Sequence, residues 1–188
     1  MTRLAYYYQT ILLRDMLYKI NYVQTTQAPV ITKIIVTSSS KECLKDSRFF
    51  LNISTALELI TNQRAFLLRA KKSNASFKLR KGQVLGAKVT LRQKTLIYNF
   101  LDKLFHIILP RLRDYTGLYL NTKNKTLSLN FSWPSMLLFT EISILLDHLK
   151  NLSGGNTTIV CSTNDIFTNT LLLSAYGCPI IKKNRIIN

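Results

Sequence analysis

Between positions 69 and 92 stand Arg69, Lys71, Lys72, Lys78, Arg80, Lys81, Lys88 and Arg92, with no carboxylate among them. Cations gathered this closely repel one another unless a polyanion lies against them, and the chemistry they suit is neutralisation of nucleic-acid phosphates. Phe66-Leu67-Leu68 on one side and Val89-Thr90-Leu91 on the other have strand character, while Gly82 and Gly86 mark places where the backbone must bend or come close to another segment. The reading is a basic loop, 73–86, projecting between two strands. With little apolar surface to bury and strong self-repulsion, it is expected to open easily until an RNA backbone orders it.

Residues that could carry out a reaction are sparse. The chain has two histidines, His106 and His148. His106 lies among apolar residues of a helical pattern, where it reads as a packed side chain. Asp147 and His148 are neighbours on a presumed helix, so their side chains point about 100° apart and cannot orient one another as a triad requires. Cys43, Cys161 and Cys178 lack the paired short spacing of a zinc site or the density of a disulfide framework, and read as reduced thiols. Gly154-Gly155 precedes a strand without the Gly-Lys-Ser/Thr pattern of a phosphate cradle, and reads as a turn. Neither an enzyme nor a cofactor is expected.

Composition points the same way. Lys and Arg number 26 against nine Asp and Glu, a formal charge of +17, beyond what solubility needs. The charges cluster in loops and at strand edges instead of along one amphipathic helix, which favours RNA or DNA over an anionic membrane. No stretch reaches the roughly 18 apolar residues of a membrane span, and no signal-peptide pattern opens the chain. At 188 residues with 47% hydrophobic content, a single domain with a real core is expected, 1–188, including an amino-terminal helix over 1–22.

The elements that must position the basic segment follow from periodicity. Leu4, Tyr8, Ile11, Leu12 and Leu17 form a wide helical stripe suited to covering a core; Tyr6-Tyr7-Tyr8 fan around the axis, so at most one or two of them face a ligand. The β-branched run 30–37 predicts a buried strand. Phe49, Phe50, Ile53, Ala56, Leu57 and Ile60 predict a helix over 45–61, ended by Asn62 in the left-handed conformation, which places Gln63 and Arg64 at a helix-to-strand corner. Leu96 to Ile108 predicts a third helix, with Pro110 helping to terminate it. A half-buried strand is expected over 127–131 after the polar turn 121–125, then a helix over 135–150, whose apolar run Met136-Leu137-Leu138-Phe139 is also compatible with an extended stretch, a strand over 157–162 and a helix over 165–176. Thr163 or Asn164 stands near the cap of that last helix, and Gly177 and Pro179 stop it. The fold class is α+β: an antiparallel sheet with helices on one face and a projecting basic loop.

The segment Ala70-Lys71-Lys72-Ser73, then Phe77-Lys78-Leu79-Arg80 with Gly82, then Gly86-Ala87-Lys88-Val89-Thr90-Leu91-Arg92, resembles the core motif of the large ribosomal subunit protein five family. Ile60-Thr61-Asn62-Gln63-Arg64 is similar to that family's Ile-Thr-Gly-Gln-Lys. Leu109-Pro110-Arg111-Leu112-Arg113-Asp114-Tyr115-Thr116-Gly117-Leu118 is similar to its Leu-Pro-Arg-Ile-Arg-Asp-Phe-Arg-Gly-Leu. The match is specific over about 28–118 and collinear beyond. It departs at Thr37-Ser38-Ser39-Ser40-Lys41, where relatives have Asn-Met-Gly-Val-Gly, and around 119–126, where a glycine-rich segment is missing.

The resemblance implies a ribosomal protein of the central protuberance that binds 5S or equivalent rRNA through its sheet and helix corner. It also implies contact with peptidyl-site tRNA through the loop, with other proteins of the protuberance, and with the small-subunit head through an intersubunit bridge. Carried over residue by residue, rRNA falls to Thr37 (Asn in relatives), Gln63 and Thr90, with the cations Lys33, Arg64, Lys71, Lys72 and Arg92 beside them. tRNA falls to Ser76, Phe77, Lys78, Leu79, Arg80, Lys81 and Gly82. The alternative is a non-ribosomal RNA-binding module or RNA chaperone using the same loop as a clamp. Enrichment in Ile, Leu, Asn, Lys, Thr and Ser, as an AT-rich genome produces, together with a resemblance that begins close to Met1 without a transit peptide, leads us to expect an organelle-encoded protein. The departures favour a mitochondrion over a plastid or a bacterial cytoplasm.

Overall fold

The computed structural model describes residues 2–22, 24–44, 48–112, 117–119, 128–145, 149, 152–163 and 165–181. Helices α1 (Arg3–Tyr7) and α2 (Leu13–Ile20) flank a π-helical stretch, Tyr8–Leu12, and are followed by β1 (Ile31–Ser39), α3 (Arg48–Thr61), β2 (Phe66–Arg69) and β3 (Val84–Leu91). Then come α4 (Lys94–Asp102), a second π-helical stretch (Lys103–Ile108), α5 (Leu109–Arg111), β4 (Leu118–Tyr119) and β5 (Ser128–Trp133). The chain ends in α6 (Thr140–Ser143), β6 (Gly155–Cys161), α7 (Ile166–Ala175) and β7 (Ile180–Ile181). Five strands form an antiparallel sheet in the order β2-β3-β1-β6-β5 with helices packed around it, the α+β class the sequence indicates. β4 and β7 pair separately as a parallel two-stranded ribbon.

The chain divides into two compact units. One comprises 1–34, 92–131 and 158–188. In it α1 packs on α4 and α2 on α7, as the apolar stripe of the first helix requires. Leu4, Tyr8, Leu12 and Met16 are all buried. Of the three successive tyrosines, Tyr8 turns inward: its hydroxyl donates to the Pro29 carbonyl at 3.0 Å and its ring stacks on Tyr176 at 6.3 Å, while Tyr6 faces outward. His106 is not enclosed by its apolar neighbours. It is partly exposed, with Nδ1 3.0 Å from Asp102, whose carboxylate also takes Arg3 and so ties the amino-terminal helix to α4. The helix that begins at α4 runs past Pro110 to Arg111 before Leu112 turns extended, two residues beyond the proline, and the π-helical stretch just before it already relaxes the bonding ladder where proline supplies no donor. Near the cap of α7, the fully buried Asn169 is satisfied by Thr163: its Nδ2 donates to the Thr163 carbonyl and its Oδ1 accepts from Oγ1, both at 2.7 Å.

The other unit, 35–91 with 132–157, holds the basic segment. Ile53, Ala56, Leu57 and Ile60 of α3 lie buried over Ala87, Val89 and Leu91 of β3. Each large apolar group enclosed this way stabilises the fold by about 1.5–3 kcal/mol relative to exposure. Of the helix expected over 135–150, the first residues are not α-helical, and the run 136–139 takes the non-helical form its apolar sequence allowed. Met136–Leu138 is a 3₁₀ turn capped by the Ser135 hydroxyl, Phe139 is extended, and α6 follows, because the Phe139 ring packs edge-on against Trp133 at 5.4 Å. Gly154 and Gly155 owe their identity to that tryptophan as much as to a turn: a Cβ on Gly155 would sit 2.4 Å from the indole, and one on Gly154 2.3 Å from the Trp133 carbonyl. The sequence expectations for Asp147-His148, 113–116, 121–127 and Asn164 lie outside the described residues. Among the described residues no helix is long and apolar enough to cross a membrane.

Candidate nucleic-acid interface

The helix-to-strand corner is built by α3 stopping where the sequence says it must. Asn62 adopts φ 53°, the left-handed conformation that asparagine tolerates, and its N–H still donates to the Glu58 carbonyl at 2.8 Å. The Glu58 carboxylate then accepts from the Ala65 N–H at 2.9 Å, fixing the far side of the turn. Between these anchors Gln63 reaches across, Nε2 donating to the Thr90 carbonyl at 3.1 Å. Two residues expected to meet rRNA are therefore joined.

Alternation defines the face they occupy. Ala87, Val89 and Leu91 are fully buried on the side of α3, so Lys88 and Thr90 lie on the opposite side. On β1, Val36 and Ser38 are buried and Ile35 and Thr37 are half-buried on that same outer side. The Thr37 hydroxyl donates to the Asn156 carbonyl at 3.4 Å. Strand β2 pairs antiparallel to β3 with Phe66 opposite Lys88 and Leu68 opposite Gly86, and directly opposed residues share a face. The outer face thus also presents Phe66, which is 66% exposed, and Lys88. Sequence reasoning counted Lys88 in the basic run and Phe66 in a strand but singled out neither; the signal was the period-two pattern, which needs the pairing register to be read.

The basic loop is a hairpin with bonds of its own. Ala70 N–H donates to the Gln83 carbonyl and Gly82 N–H to the Ala70 carbonyl, each at 2.9 Å, and Asn74 and Leu79 exchange backbone bonds in an isolated bridge. The Asn74 side-chain oxygen accepts from the Ser76 N–H and hydroxyl, and the Gln83 side-chain oxygen from the Arg80 N–H. Polar side chains therefore supply what charge patterning alone does not reveal, a local frame for a segment of like charges. Lys78 at φ 54° and Gly82 at φ 86° give the left-handed turns the hairpin needs. Lys71, Lys72, Ser76, Phe77, Lys78, Arg80, Lys81 and Gly82 are exposed and Leu79 is partly covered. Among the described residues no carboxylate forms an ion pair with a cation of 69–92. Gly86, at the base, is a close-approach glycine: a Cβ there would lie 2.1 Å from the Ser38 carbonyl oxygen.

Thr37, Gln63, Arg64, Lys71, Lys72, Thr90 and the 76–82 segment all belong to this unit. Lys33, half-buried on β1, and Arg92, exposed just past β3, belong to the other unit.

The fold and charge define a class, a basic α+β protein with an antiparallel sheet and an exposed, acid-free hairpin. Comparison with known proteins gives the family. The family model described as Ribosomal protein L5 matches residues 25–80, and the model for the C-terminus of that same ribosomal family matches 84–180. The chain is 38% identical over 183 residues to the large ribosomal subunit protein uL5m of Reclinomonas americana, covering 97% of this chain and all of that one. It is 36% identical to the uL5 protein of Malacoplasma penetrans, covering 90% and 89% of the two chains, and 38% identical to that of Helicobacter hepaticus, covering 82% and 83%. The chain belongs to the ribosomal protein L5 family, whose members are structural proteins and not enzymes.

Proposed function

We propose that this chain is a structural constituent of the large ribosomal subunit that binds 5S or equivalent rRNA in the central protuberance through the outer sheet face and the α3–β2 corner. Thr37, Gln63, Arg64 and Thr90 line that contact, with Lys71 and Lys72 at the root of the hairpin. The hairpin tip, Ser76 to Gly82, meets peptidyl-site tRNA, and a further surface joins the small-subunit head. Neighbouring proteins of the protuberance complete the assembly, and the host ribosome is mitochondrial.

The observation that carries this reading is the bond from Gln63 to the Thr90 carbonyl beside an exposed hairpin without acidic residues. Uncharged groups held in register fix the orientation of an RNA, and the cations supply affinity. Replacing Gln63 and Thr90 together by Ala is expected to weaken binding of 5S-type rRNA about tenfold or more while leaving the salt dependence nearly unchanged, since each hydrogen bond is worth about 1 kcal/mol and no phosphate contact is lost. Unchanged affinity would remove both residues from the interface. Retention on large subunits in salt that strips loosely bound proteins separates a ribosomal constituent from an RNA chaperone.

A further inference from the structure

Phe66 stands out on the outer face of the sheet. β2 is an edge strand, so the ring has a neighbouring strand on one side only, and it is 66% exposed. Its directly opposed neighbour on the same face is Lys88, and Arg64 and Arg69, both exposed, stand near it along the chain. A single exposed apolar residue is ordinary on a protein surface. An exposed aromatic ring beside a cation that makes no described ion pair has the chemistry of a stacking platform for single-stranded nucleic acid.

We propose that Phe66 and Lys88 together hold one unpaired nucleotide, the base stacked on Phe66 and its phosphate on Lys88, so that the RNA on this face presents a loop or bulge and not an unbroken duplex. The proposal rests on reading the outer sheet face as an RNA interface. Charge decides the occupant: the chain carries +17, and the cations around Phe66 repel a basic protein partner while an acidic peptide would lack the flat π surface that the ring accepts.

The test uses the full chain with two probes, a transcribed 5S-type rRNA that contains unpaired loops and a fully paired RNA duplex of similar length. Phe66→Leu keeps an apolar strand residue without the π face. It is expected to weaken binding to the loop-containing RNA about tenfold, to change duplex binding less than about twofold, and to leave the salt slope unchanged. Phe66→Trp is expected to restore binding. Lys88→Gln is expected to lower the logarithmic salt slope by about one. Melting curves of each variant verify that the fold is intact. Equal losses on both probes, or none with Phe66→Leu, overturn the stacking proposal. If Phe66→Leu has no effect while the Gln63/Thr90 double variant still weakens binding, the interface reading stands and the stacking proposal alone falls. If the unsubstituted protein binds neither RNA in a salt-dependent manner, both fall together.

Discussion

Replacing Lys78, Arg80 and Lys81 by Ala isolates what the hairpin contributes. All three side chains are exposed and none meets a described carboxylate, so their removal breaks no ion pair within the protein. The hairpin should keep its shape, because its frame uses Asn74, Ser76, Gln83 and backbone groups. Lys78 sits at φ 54°, a left-handed conformation that costs Lys and Ala alike, so Ala there brings no new backbone strain. Surface changes of this kind usually alter stability by no more than about 0.5 kcal/mol each. If each cation neutralises one phosphate, the logarithmic salt slope falls by about 0.7 to 0.9 per residue, roughly two to three for the triple variant. Across a fourfold rise in salt, the unsubstituted protein should then lose about 20- to 40-fold more affinity than the variant. Fluorescence anisotropy with tRNA and with 5S-type rRNA at several salt concentrations measures this directly. A slope that does not change refutes the assignment of these cations to phosphates. On assembled particles, the variant is expected to join large subunits yet retain less peptidyl-site tRNA; lost assembly with normal tRNA retention would make the hairpin an rRNA anchor.

Gly86→Ala is expected to destabilise the protein by about 2–3 kcal/mol, lowering Tm by about 5–10 °C, because the new Cβ meets backbone atoms at Ser38 and Ser39 that cannot swing aside; calorimetry reporting a loss under about 1 kcal/mol would show that β1 and β3 separate easily there. Alkaline pH provides a test of burial in the other unit. Desolvation raises Cys178 from 9.0 to about 12 and Tyr8 from 10.0 to about 12, so the folded state holds protons that the unfolded chain releases. Stability from these groups is complete below about pH 9 and is lost as pH climbs from 9 toward 12, so the urea midpoint should fall over that range. Cys161, raised to about 11, should likewise resist thiol reagents at about pH 8 until the protein unfolds.

Much of the candidate interface's geometry was legible in the chain itself. A cation run without acids states its partner through charge alone, whatever the fold. Asn62 as a helix stop and Gly86 as a point of close approach follow from what a backbone allows, and both appear as read. The family motif supplied Gln63 and Thr90 as a pair without a reason for pairing them. That reason is tertiary: a side chain at the end of one element bonding a carbonyl 27 residues on. Phe66 became a candidate interface residue only once β2 was set against β3 in a definite register, since a shift of one position would have turned it to the face of α3. The hairpin's internal order rests on Asn74 and Gln83, polar residues whose local bonds are invisible to a pattern of charge and hydropathy. The helix expected over 135–150 starts late, at Thr140, after an extended Phe139 whose ring packs edge-on against Trp133, a residue outside the helix's own period. Local spacing determines which elements can form and which charges they carry. Which faces meet, and which polar groups find one another, depends on contacts between residues far apart in the chain, and no periodicity encodes those.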